Sequence, residues 1–172
     1  IPTGDDEARR TLDLLTPWDV GIPLIRLGGD GDGGYLIPDD LEGVGALLSP
    51  GVSETWTFEL DIGERCAIPS YMIDGSVSAP YGLTSLQHFE RKWLATRSGR
   101  DKSNLTDWIA AVAPDPAQDL ILQMDIEGAE CPILKQAPSE TLRRFRIIVV
   151  EFHGLPWMAL RPALQRRYLP VL

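Results

Sequence analysis

Four short stretches carry the side chains best suited to chemistry: Ser49-Pro50-Gly51-Val52-Ser53, Asp74 with Gly75 and Ser76 behind it, Asp125-Ile126-Glu127-Gly128-Ala129-Glu130, and Glu151-Phe152-His153. Gly51 lets a backbone approach a ligand closely. Asp74 lies 23 residues further on, the separation at which an acid reaches ribose hydroxyls, and a carboxylate accepts from both vicinal hydroxyls at once. The loop has one glycine rather than the three of G-x-G-x-x-G, and Pro50 has no N–H to donate. Those two features count against a pyrophosphate, and so against NAD or FAD. They tolerate S-adenosylmethionine, which has no phosphate. The plain alternative is a connecting loop and a surface Asp.

In the third stretch Asp125 and Glu127 stand two apart, so an extended segment would present both on one side. Gly128 then permits a sharp turn into a helix. Glu127 and Glu130 also have a plain explanation, since acids are favoured near a helix N-terminus. Asp125 ends an apolar run, where an unpaired carboxylate is costly. Glu151 and His153 again share a side. An imidazole titrates near neutrality, which makes His153 the first choice for a general base and Asp125 the second. A lone histidine is more often structural, but this one ends an expected central strand beside a second acidic strand end.

Asp125, Glu127, Glu151 and His153 together offer three oxygens and a nitrogen, acceptable to Mg²⁺, Mn²⁺ or Zn²⁺. A divalent metal is the less favoured use of them, because acids at strand ends have cofactor and substrate duties available. Asp30-Gly31-Asp32-Gly33 superficially resembles a calcium loop. An EF-hand is rejected, because Leu41 sits where the template needs an acid. The glycines suit a hairpin turn, placed to fold over a cofactor or acceptor.

These residues need elements to position them. Periodicity and turn residues predict helices over 5–15, 56–65, 84–96, 105–112 (capped by Asn104), 129–136 and 158–168. They predict strands over 23–27, 34–37, 44–48, 70–73, 119–124 and 147–150. Continuous apolar strands alternating with helices point to an α/β fold with a doubly wound, mostly parallel sheet. The polar clusters fall at the carboxyl ends of those strands, where such sheets bind ligands.

The chain of 172 residues suits one globular unit, with 44% hydrophobic and 24% charged residues. Its formal net charge of −9 repels phosphate backbones and anionic lipid, which argues against nucleic acid and membrane as partners. No apolar run approaches the ~18 residues of a membrane span, and no signal-peptide pattern opens the sequence. Cys66 and Cys131 lack pairing or metal spacing and are expected to be reduced thiols of a cytoplasmic protein. The basic residues Arg91, Lys92, Arg97, Arg100 and Lys102 are expected on a solvated helix and loop, or as a clamp for an anionic acceptor. Trp56, Trp93, Trp108 and Trp157 suit stacking on a sugar or ring and suit core packing equally well.

Asp32-Gly33-Gly34-Tyr35, the 49–53 loop with Phe58-Glu59, Asp74, the 125–130 hexapeptide and Glu151-Phe152-His153 occur in an order that resembles the FkbM-type methyltransferases, over about 26–153. The hexapeptide followed by a hydrophobic strand ending in Glu-Phe-His is the most specific part. The resemblance implies a Rossmann-like class I methyltransferase fold that binds S-adenosylmethionine. The 49–53 loop and Glu59 would line its methionine side, and Asp74, with Gly75 and Ser76, would lie near the ribose. Asp32, Tyr35, Glu127, Glu130 and Glu151 would serve substrate or structure. Members often methylate a hydroxyl of a sugar or secondary metabolite, so a small-molecule hydroxyl acceptor is expected. Residues 1–43 read as an N-terminal helix and β-hairpin extension, and 44–172 as the cofactor-binding domain. The sequence departs from the pattern in lacking a second glycine at Pro50 or Ser53. A full sheet of this type has two further strands, so this one is expected to lack its C-terminal strands. A non-catalytic domain of the same fold and a NAD-dependent oxidoreductase are the competing classes.

Overall fold

A computed structural model describes residues 5–53 and 55–154. After helix α1 (Asp5–Leu14), strands β1 (Leu24–Leu27) and β2 (Tyr35–Pro38) form an antiparallel hairpin. The chain then enters a parallel sheet at β3 (Val44–Pro50), crosses through α2 (Thr57–Cys66) to β4 (Ser70–Ile73), and reaches β5 (Gln87–Glu90) by a loop. Two short strands, β6 (Trp93–Leu94) and β7 (Lys102–Ser103), precede α3 (Leu105–Val112). The chain returns to the sheet centre at β8 (Asp119–Met124), passes through α4 (Glu130–Gln136) and α5 (Ser139–Leu142), and ends its described part after β9 (Phe145–Val150).

The main sheet has five strands in the order β5-β4-β3-β8-β9, and every neighbouring pair is parallel. From β3 the chain winds outward in one direction and then returns to wind in the other. The reversal falls between β3 and β8, and that switch point opens a crevice at the carboxyl ends of the strands.

Both faces of the sheet are covered, which is why its strands read as apolar runs. From Ala46 onward, past an irregularity between Val44 and Ala46, alternate residues of β3 and β8 divide between two cores. Ala46, Leu48, Leu120 and Leu122 pack with Leu105, Trp108 and Ile109 of α3 and with Ile133 and Leu134 of α4. Val44, Leu47 and Ile121 pack with Phe58 and Ile62 of α2 and with Leu27 and Ile37 of the hairpin. The hairpin therefore shares a core with the sheet. Its turn is also tied to α2, since the Gly28 N–H donates to Asp61 Oδ2 at 2.7 Å. Truncating any fully buried leucine or isoleucine here to alanine would cost about 2–5 kcal/mol.

Asn104 caps α3 as expected, its side chain accepting from the Asp107 N–H at 2.8 Å. The expected helix over 84–96 is not present: residues 87–90 and 93–94 are extended. The open edge of β4 offers ladder hydrogen bonds that outweigh a weak helical preference, and Phe89 and Trp93 favour strands intrinsically. The Ser70 N–H donates to Leu86 O at 2.8 Å and the Asp74 N–H to Glu90 O at 3.3 Å. The basic segment accordingly spans strands and turns, with Lys92 paired to Glu90 at 2.5 Å. The expected 158–168 helix and Trp157 lie outside the described residues. Among the described residues no helix is long and apolar enough to cross a membrane.

Candidate functional site

The crevice at the switch point is a cleft walled by residues from separate parts of the chain. Gly51, Val52 and Ser53 come from the loop after β3, Asp74 and Ser76 from the tip of β4, and Asp125 and Glu127 from the tip of β8. The hairpin contributes Asp32 and Tyr35, and α2 contributes Glu59. Among the described residues, none that lines this part is basic. A second, more apolar recess adjoins it, formed by Ile73, Lys92, Trp93, Leu94, Ile126 and Ala129 and sharing Gly51, Asp74, Ser76 and Glu127 with the first.

Not every expected residue reaches the wall. Ser49 is fully buried behind it. Pro50 contributes its carbonyl, which accepts from the Asp125 N–H at 3.2 Å. Gly75 lies under the Trp93 indole, where a Cβ would collide with the ring. Asp74 Oδ1 is held by Ser76, whose N–H and hydroxyl each donate to it at 2.6 Å.

Asp125 is the centre of the acidic group. Its Oδ1 lies 3.5 Å from His153 Nε2, and its Oδ2 accepts from the Tyr35 hydroxyl at 3.4 Å. The same hydroxyl, with one hydrogen to give, also lies within donating distance of Glu151 Oε2, at 3.3 Å. Glu127 Oε2 lies 3.4 Å from the same His153 nitrogen. Asp125 and Glu127 thus converge as the sequence suggested, by a different route: Glu127 has φ 55° and Gly128 φ 97°, so a left-handed turn, not an extended segment, brings them together. That turn delivers Glu130, which is 0% exposed and accepts from the Gly128 N–H at 2.8 Å. Glu130 Oε1 also lies 2.9 Å from His153 Nδ1.

The crowding of acids shows in their titration. Burial, then the charge of Glu151, pushes the Asp125 carboxyl up to about 6; Glu127 and Asp32 add to this and His153 opposes it. Burial, with the charges of Asp125 and Glu151, holds the Tyr35 hydroxyl far above the ordinary phenol range, so it remains a donor. For His153 burial disfavours the charged ring, but the Glu130 hydrogen bond and the charges of Glu127, Glu130 and Asp125 outweigh it and raise the imidazolium above its ordinary range. At the inner end burial raises the Glu59 carboxyl, which the Ser49 hydrogen bond offsets only in part.

Asp125, Glu127 and His153 present ligand atoms within 4.8 Å of one another, as do Asp32, Asp125 and Glu151. Either set has the donor chemistry for a divalent cation. Gln123, buried between Ser49 and the cleft, was not singled out from the sequence. A polar residue inside the apolar run 119–124 was the available signal. Thr55, Thr57 and Val77 of the wall had no such signal.

A doubly wound parallel sheet with a cleft at its switch point defines a Rossmann-like α/β domain. The comparison with known families is then specific: residues 86–165 match the family model described as the Methyltransferase FkbM domain. The match takes in the 125–130 hexapeptide and Glu151-Phe152-His153, bears out the resemblance drawn from them, and supports a methyltransferase. No curated protein and no solved structure matches the chain.

Proposed function

We propose that the chain is an S-adenosylmethionine-dependent methyltransferase acting on a hydroxyl of a small molecule such as a sugar or secondary metabolite. One observation carries the proposal: Gly51, Asp74 and Asp125, far apart in sequence, wall a single cleft at the sheet's switch point. The chemistry of that cleft fits the cofactor. Gly51 lets the β3 loop lie against the Asp125 backbone at the cleft floor, and an acidic wall with no basic residue among those described suits a sulfonium and an ammonium better than a pyrophosphate. The adjoining apolar recess, with Trp93, suits a purine.

When bound, S-adenosylmethionine supplies an electrophilic methyl group and a neutral leaving group. The chain's own residues align and deprotonate. Asp74, oriented by Ser76, accepts from the ribose hydroxyls. Glu59 and the 49–53 loop line the methionine end. Tyr35 and Asp32 close the cleft from the hairpin side, where the acceptor enters. His153, with Nε2 beside Asp125, takes the acceptor's proton, and Asp125 is the second choice for that role. A divalent metal is not required by this scheme. Cys66 and Cys131 as reduced thiols would be in keeping with a cytoplasmic setting.

Calorimetry with S-adenosylmethionine, S-adenosylhomocysteine and NAD tests the proposal. Binding of the first two and none of NAD is expected, followed by transfer of labelled methyl to members of a hydroxyl-acceptor panel. NAD binding instead would sink it. Cofactor binding without transfer to any acceptor would favour a non-catalytic domain.

A further inference from the structure

We infer that Glu130 is a positioning residue of the reaction: it fixes the His153 tautomer whose Nε2 lone pair is presented beside Asp125, and it supplies the countercharge for the proton that Nε2 receives. This rests on His153 as the base of the proposed transfer.

The geometry singles out Glu130. Its carboxyl is 0% exposed, and a buried carboxyl is retained only where something compensates it. One oxygen, Oε1, takes both the Gly128 N–H and His153 Nδ1, at 2.8 and 2.9 Å. The other, Oε2, has no hydrogen-bond partner among the described residues. An acid needed only to start α4 would do so from the surface, fully solvated. Here it is withdrawn from water, half satisfied, and aimed at one ring nitrogen. Carboxylate oxygens face both ring nitrogens, but only Glu130, 2.9 Å from Nδ1, is at close hydrogen-bond distance, against 3.5 and 3.4 Å for Asp125 and Glu127 at Nε2, so the neutral ring carries its hydrogen on Nδ1 and keeps Nε2 as the acceptor. Nε2 lies toward Asp125 and Glu127, both of which wall the cleft.

The step balances without further reagents. An acceptor oxygen lone pair forms the O–C bond, the C–S bond breaks with its electron pair left on sulfur, and the acceptor's proton passes to Nε2. The ring becomes an imidazolium whose charge lies against Glu130. Glu130 gains no proton, so its contribution grows as the proton arrives and is greatest in the transition state.

Two measurements test this. The chain has two histidines, so ¹⁵N spectra of the full chain, assigned with His153→Gln, report the neutral His153 tautomer directly. Hydrogen on Nδ1 is expected; hydrogen on Nε2 as the main neutral form overturns the inference. Glu130→Gln keeps the shape and an accepting carbonyl but removes the charge. It is expected to lower kcat about 10- to 100-fold, to leave acceptor KM and S-adenosylhomocysteine binding unchanged, and to move the rising limb of the kcat–pH profile to lower pH. Wild-type kcat in Glu130→Gln overturns the inference. If wild-type protein binds no S-adenosylmethionine, the methyltransferase proposal fails, and the tautomer spectrum still decides whether Glu130 holds the ring.

Discussion

The carbonyl oxygen of Asp125 occupies the space where a side chain on residue 51 would begin. Gly51 has φ 88°, its N–H donates to Ile73 O at 3.0 Å, and the Asp125 N–H donates to Pro50 O at 3.2 Å. The tips of β3, β4 and β8 are therefore laced together backbone to backbone, and the cleft floor is set by main chain more than by side chains.

Gly51→Ala should consequently be costly. Alanine meets both a left-handed backbone and the Asp125 carbonyl, so the strand tips must part. Strain and overpacking together amount to roughly 2–5 kcal/mol. The expected result is a lower urea midpoint at unchanged slope, with loss of S-adenosylhomocysteine binding. A variant of wild-type stability and affinity would show that the loop has other conformations open to it.

His153→Ala separates binding from chemistry. The imidazole is not itself one of the residues that wall the cleft; its Nε2 lies 3.5 Å from Asp125 and 3.4 Å from Glu127, which are. Cofactor affinity should hold, while turnover falls about 10²- to 10⁴-fold, the usual worth of a general base. In the intact protein the ring's raised proton affinity means that turnover should rise with pH and level off above the ordinary imidazole range. Turnover unchanged by the substitution would remove His153 from the mechanism.

Much of this arrangement was legible in the sequence, for a physical reason. Strands such as 44–48 and 119–124 are buried on both faces, so they appear as largely apolar runs, and Asp125, the first charged residue after the second, marks its tip. Asn104 announced the start of α3 because capping is local. What failed was what depends on neighbours. The 87–90 segment becomes a strand because β4 has an edge to offer, a fact stored 17 residues away in the register that pairs Ser70 with Gln87. Gln123 was hidden by the apolar run that contains it. The pairing of Glu130 with His153 spans 23 residues, and no spacing rule connects a helix start to the end of the next strand.

Asp125 makes stability depend on pH in a direction opposite to most carboxylates. Its folded value, about 6, lies above the ordinary one. The folded state thus holds the proton more tightly. Its contribution is fully present below about pH 4, where both states are protonated, and is lost as pH rises through about 6. Asp125→Asn removes the charge while still accepting from Tyr35. Urea titrations at pH 5 and pH 8 should find the wild type losing more stability between them than the variant does. Equal losses would mean that Asp125 is better compensated than its neighbours Glu151, Glu127 and Asp32 suggest.

The inner end of the cleft raises a question of proton count. The Ser49 hydroxyl has one hydrogen, yet its oxygen lies within bonding distance of two acceptors, Glu59 Oε1 and, at 2.7 Å, Gln123 Oε1. All three residues are at most 4% exposed, so water does not supply the missing donor. The arrangement is satisfied if Glu59 is a neutral acid that donates to Ser49, which in turn donates to Gln123. The upward shift that burial imposes on the Glu59 carboxyl agrees with this. A carboxylic-acid carbonyl band should then appear in the infrared spectrum at neutral pH and vanish in Glu59→Gln. That variant should fold normally, because an amide can donate to Ser49 in place of the acid. Ser49→Ala should be the more harmful change. It strands a buried carboxyl and a buried amide together, at about 1–3 kcal/mol for each unsatisfied group. If the infrared band is absent, the Gln123 amide must be turned so that its nitrogen donates to Ser49, and Glu59 is then an anion held by the Ser49 hydroxyl and its own backbone N–H.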